Sequence, residues 1–147
     1  MKADALKLLI AVAHRRERLS AINVANRKRA VEEAVQLRAK AQLRMEQASF
    51  KAESERMKQA KVGRELPVSA QRLRDGHEFG YLLLWKALAE FSEVRKADVA
   101  LAERRSDLAQ ATQLHRQMMR RRQKLEAMHE KLASREYSDS ELLEGEA

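Results

Sequence analysis

The chain has 147 residues, 44% hydrophobic but only 4% aromatic, with 35% charged residues, four glycines, one proline and no cysteine. That composition excludes disulfides and thiolate metal sites, and it fits long helices joined along a thin apolar seam better than a globular core. The net charge of +8 is unevenly placed: residues 1–62 carry +8, 63–80 carry zero, 81–135 carry +5 and 136–147 carry −5. A basic body with an acidic end concerns partners rather than fold.

The chain begins with Lys2 and an apolar stretch, Ala5-Leu6-Lys7-Leu8-Leu9-Ile10-Ala11-Val12-Ala13. It loosely imitates a signal peptide. Asp4 and Lys7 interrupt its charged and apolar regions, and no polar segment precedes Ala11-Val12-Ala13, so the stretch reads as the first turns of a helix. No apolar run approaches the roughly 18 residues of a membrane span.

The first helix is predicted over about 3–62. Leu19, Ile22, Asn26, Ala30, Ala34, Leu37, Ala41, Met45, Ala48 and Ala52 form its expected stripe. Their mean step of about 3.67 is that of an 11-residue repeat. Val31, Val35, Leu43, Phe50 and Met57 fall off that stripe. Gly63 is the expected left-handed residue ending this helix, and Pro67 prevents its continuation. The turn is assigned to 63–68.

Ser69 is placed to cap a second helix, predicted over 69–135. Asp75-Gly76-His77-Glu78 offers a second possible start, leaving a weak, kinkable stretch over 75–80. The expected face of this helix is Leu84, Leu88, Phe91, Val94, Leu101, Leu108, Met118, Leu125, Met128 and Leu132. Here Met118, Leu125 and Leu132 lie one heptad apart. Two helices of matched length, roughly 90–100 Å each at 1.5 Å per residue, predict an all-α, antiparallel two-helix coiled-coil hairpin over 1–135. Reversal near residue 66 sets Leu19 beside Leu114 and Met45 beside Leu88. Residues 136–147 are expected to form an acidic flexible tail.

Chemistry-bearing patterns are few. His14, His77, His115 and His129 form no metal-ligand spacing, and no phosphate-cradling loop or nucleophile elbow occurs. No catalytic residue, cofactor or metal site is expected. Arg27-Lys28-Arg29 is one basic cluster, and two more stand out: Arg15, Arg16 and Arg18, and the segment from Arg116 through Arg120, Arg121, Arg122 and Lys124. In a hairpin the latter two share one end. No aromatic residue interleaves them to stack bases, so an acidic protein surface is a better match than specific nucleic acid, and a nucleic-acid-associated coiled coil is the alternative. A third reading has the Leu6–Val12 face touching a membrane surface. Around the turn, Leu66, Val68, Leu73, Phe79, Tyr81, Leu82, Leu83, Leu84 and Trp85 offer more apolar surface than two helices bury.

A basic, cysteine-free helical hairpin of this size resembles the central-stalk proteins of type III secretion systems, the YscO/FliJ-like family. Its local echoes are Leu6-Lys7-Leu8-Leu9 followed by Arg15-Arg16-Glu17-Arg18, and Ala133-Ser134-Arg135-Glu136 with acidic residues after it. The resemblance implies a non-enzymatic protein of the bacterial cytoplasm that inserts into the hexameric secretion ATPase. It also implies contact with the cytoplasmic domain of the export gate, and some members bind secretion chaperones. By that analogy Arg15, Arg16, Arg18, Arg116, Arg120, Arg121, Arg122 and Lys124 would face the ATPase. Leu66, Leu73, Phe79, Tyr81 and Trp85 would face the export gate.

Overall fold

A computed structural model of the protein describes residues 2–65 and 69–146. The fold is all-α: helix α1 spans Lys2–Glu65 and helix α2 spans Ala70–Gly145, packed against each other, with no strand among the described residues. Ser69 caps α2 as expected. Its hydroxyl accepts the Arg72 amide at 3.2 Å and its carbonyl accepts the Leu73 amide at 3.2 Å, satisfying backbone groups that a helix start leaves bare. Leu66, Pro67 and Val68, the centre of the expected turn, lie outside the described residues.

Two boundaries differ from those expected. Gly63 does not end α1: it is helical, and no described glycine has a positive φ. A helical glycine costs about 1 kcal/mol relative to alanine, too little to stop a long helix that its neighbours favour. In keeping with the start at Ser69, α2 passes unbroken through Gly76 and Gly80. Finally, α2 continues ten residues beyond Arg135, and Glu146 closes its end by donating to the Leu142 carbonyl at 3.2 Å.

The buried seam is a heptad on both helices. On α1 the residues at 6, 13, 20, 27, 34, 41, 48 and 55 are all buried or half-buried, as are those at 10, 17, 24, 31, 38, 45, 52 and 59. On α2 the series 73, 80, 87, 94, 101, 108, 115, 122 and 129 behaves the same way. So does 76, 83, 90, 97, 104, 111, 118, 125 and 132, with Arg104 alone exposed. The steps alternate 4 and 3, the a/d pattern of a coiled coil. The expected 11-residue stripe on α1 joins this seam only in part: Ala34, Ala41, Met45, Ala48 and Ala52 are buried or half-buried, whereas Leu19 is 57% exposed and Ile22 and Leu37 are as open. On α2, Leu84, Leu88, Phe91 and Met128 also leave the seam, while Val94 and Leu101 are buried, and Leu108, Met118, Leu125 and Leu132 are half-buried.

Small side chains explain the choice. The most buried α1 positions are Leu6, Ala13, Ser20, Ala34, Ala41 and Ala48. Alanine or serine at 13, 20, 34, 41 and 48, a series interrupted only by Arg27, leaves room for the facing backbone and its side chains, whereas a run of leucine or isoleucine there would force the helices apart. No side chain in the described residues is fully buried, so the seam gains stability by length rather than by depth.

The chain divides into two compact units, and both helices contribute to each. The terminal unit holds residues 1–29 and 106–147, and the turn unit holds 30–105. In the terminal unit His14 meets Glu126 and Arg27 meets Asp107, so the helices run in opposite senses. The turn unit shows the same: Arg38 donates to Asp98 at 2.6 Å, and the Gln59 side chain lies against Gly76.

Candidate docking surfaces

The terminal unit is held by a polar network inside the seam. Arg122 occupies a seam position and donates to Glu17 through Nε and Nη2, and to Glu126 Oε2 through Nη1 at 2.8 Å. The other oxygen of Glu126 takes His14 Nε2 at 2.9 Å. One turn further, the Ser20 hydroxyl donates to the Glu17 carbonyl at 2.8 Å and lies 2.8 Å from His115 Nδ1. A hydroxyl has one proton, so with that proton on the Glu17 carbonyl, His115 Nδ1–H is the donor to Ser20. The side chains of Arg122 and Glu17 are only about one-fifth exposed. The two carboxylates raise the Arg122 guanidinium above its usual pKa, chiefly through the Glu17 hydrogen bond and against a desolvation that lowers it. A polar layer within an apolar seam penalises slipped pairings, because any shift leaves its members unpaired.

This network relocates one predicted contact residue. Arg122 is occupied within the chain and is not offered to a partner. The other seven, Arg15, Arg16, Arg18, Arg116, Arg120, Arg121 and Lys124, are exposed and have no carboxylate partner among the described residues. The Glu17–Arg122 bridge joins the segments that carry them, so both clusters sit in the terminal unit. Exposed His14 reaches Glu126 from the seam edge, and the seam roles of His115 and Arg122 were not legible as a motif. Their signal was position: His115, Arg122 and His129 stand seven apart, in phase with Leu101 and Leu108.

The register was nearly right, though the face was not. Leu19 and Leu114 were expected to meet, and Ser20 and His115, one residue on in each helix, do so. Leu19 and Leu114 themselves point outward.

The turn unit presents different chemistry. Around α2, Phe79, Tyr81, Leu82, Leu84, Trp85, Leu88 and Phe91 are all at least half exposed or close to it, with Trp85 at 69% and Tyr81 at 65%. Of the residues assigned to the export gate, Tyr81 and Trp85 share one exposed side of α2, Phe79 is exposed on the opposite side about 200° away, Leu73 is half-buried in the seam series, and Leu66 lies outside the described residues. Alongside Tyr81 and Leu84 runs an open groove of about 770 Å³, floored by Ala52, Gln59, Gly76 and Gly80. It exists because the seam here is built from glycines and short side chains that do not fill the space between the helices. A Cβ at Gly76 would strike the end of the Gln59 side chain, which would have to shift from the position where it bonds Glu55 at 3.1 Å.

Among the described residues no group of histidine and carboxylate side chains converges as a metal site, no buried side-chain polar atom lacks a partner, and no helix is long and apolar enough to cross a membrane. The chain offers two surfaces, one basic and one apolar and aromatic. No protein-family model, curated protein or solved structure matches the chain.

Proposed function

We propose that the protein is a non-enzymatic coiled-coil stalk of a bacterial type III secretion system. In this reading it acts in the cytoplasm, at the secretion apparatus, and links the secretion ATPase hexamer to the export gate. The observation that carries the reading is the segregation of two docking chemistries on one pair of helices. Seven unpaired basic side chains lie in the terminal unit, and an uncharged aromatic face lies in the turn unit. Basic side chains without internal partners suit an acidic pore lining, where charge complementarity governs encounter and register. Aromatic anchors suit a protein surface that desolvates them, such as the gate's cytoplasmic domain or a secretion chaperone. The polar network supports the same reading, because a coupling element must hold its register under load.

The test is direct. Full-length protein mixed with its cognate secretion ATPase is expected to co-elute with it and to raise hexamer formation and hydrolysis. Replacing Arg15, Arg16 and Arg18 together by Glu should abolish both effects. Absence of co-elution and of any change in hydrolysis refutes the proposal. A filter-binding salt titration tests the nucleic-acid alternative, for which tight, length-dependent DNA or RNA binding at physiological salt would be the decisive result.

A further inference from the structure

The apolar face of the turn unit has an internal order that its role as a general docking surface does not require. Tyr81, Leu84, Leu88 and Phe91 follow one another at steps of 3, 4 and 3, which is a second a/d pattern on a side of α2 flanking the seam. Trp85 adjoins this stripe, and helical spacing puts no charged residue on it between His77 and Arg95. A stripe with coiled-coil spacing is fitted to another helix rather than to a strand or an irregular loop.

The order of side chains then specifies which helix. Aromatic, leucine, leucine, aromatic at 3-4-3 spacing reads the same in both directions. We propose that the stripe pairs with the same stripe on a second copy of the chain, antiparallel, about a two-fold axis at the level of residue 86. That operation places Tyr81 against Phe91 of the second copy and Leu84 against Leu88 of the second copy, twice over, as an isologous contact requires. Lys86, the one charge at the axis level, stands on the opposite side of its helix, so the two lysines do not meet. The groove beside Tyr81 and Leu84 lies where the incoming Phe91 ring arrives; Ala52, Gly76 and Gly80 leave room for it, and the polar side chains of Glu53, Arg56 and Gln59 line the α1 side.

The area is consistent with a reversible pair. Aromatic side chains present about 150–250 Å² each, and Tyr81, Trp85 and Phe91 leave half to two-thirds of theirs exposed, with Leu84 and Leu88 about half. The stripe thus offers on the order of 500 Å² per copy, or about 1,000 Å² for the pair, at the lower bound for a specific contact and in the range of weak association. Such a pair occupies Tyr81 and Trp85, which the secretion reading offers to the export gate, so self-association and gate docking compete for this face, while co-elution with the ATPase tests the secretion reading separately.

Sedimentation equilibrium of the full chain from about 1 to 300 µM, a span that brackets weak association, is expected to show a reversible monomer–dimer equilibrium. Leu88→Glu should weaken it at least tenfold while leaving helicity by circular dichroism unchanged. Met57→Glu, exposed on α1 away from the stripe, should leave it intact. If Leu88→Glu loses helicity, Tyr81→Ser makes the same test. Because Trp85 is the sole tryptophan, its emission should shift to the blue as dimer forms. The chain has no native cysteine, so mixed Leu84→Cys and Leu88→Cys variants should cross-link to each other in excess of either homodimer. A monomer throughout the concentration range overturns the proposal and leaves the face to another partner. Association indifferent to both stripe substitutions, or cross-links only between like variants, also overturns it.

Discussion

Leu101 and Leu88 were expected to share one buried face, but they have different environments, and that difference makes the heptad seam testable. Leu101 is 7% exposed in the seam, whereas Leu88 is 53% exposed on the flanking stripe. Truncating either to alanine removes three carbon groups, each contributing about 0.8 kcal/mol when buried. For Leu101 nearly all of that is lost, about 2 kcal/mol, and the cavity left between helices that cannot fully collapse raises the cost to about 3 kcal/mol. For Leu88 about half the transfer contribution is lost and no cavity forms, so the cost is about 1 kcal/mol. Both residues belong to the turn unit, so both are read in the same unfolding transition. Urea titration followed by circular dichroism, at protein concentrations of about 1 µM where weak pairing is absent, should give these values with an unchanged slope. Equal costs, or a larger cost for Leu88→Ala, would refute the assignment of the seam.

Gly63→Ala and Gly80→Ala each place a Cβ in open space at helical φ, so each should raise stability by about 0.5–1 kcal/mol in a urea titration; a loss at Gly63 would restore the left-handed cap. Ser69→Ala removes the cap of α2 and should cost about 1 kcal/mol, with faster amide exchange confined to Arg72 and its neighbours. Arg122→Leu leaves Glu17 and Glu126 without their shared cation, and should lower the melting temperature of the terminal unit. Adding Glu17→Gln to that variant should recover part of the loss, whereas a further drop would show that the network is not coupled.

An all-helical chain was determined by the sequence itself. Sparse glycine, a lone proline, a periodic apolar pattern and Ser69 before it leave little else for the backbone to do, and these are local properties. The approximate register followed too, because the expected reversal fixes which residues stand level, and Ser20 does meet His115. The basic clusters and the aromatic face were likewise legible, since charge and bulk are properties of single residues. Which stripe is buried was legible only in part: Ala34, Ala41, Met45, Ala48 and Ala52 fall in the seam as expected. Leu19, Ile22 and Leu37 looked like core because they are large, yet the seam is lined on α1 by Ala13, Ser20, Ala34, Ala41 and Ala48. That outcome depends on how closely two helices approach, a quantity that belongs to the pair. The same pairing drew Arg122 out of the basic cluster and into the seam, because only the tertiary structure brings Glu17 and Glu126 together around it. It also left Tyr81, Leu84, Trp85, Leu88 and Phe91 outside: a helix that turns one face to its partner must turn the flanking face to something else.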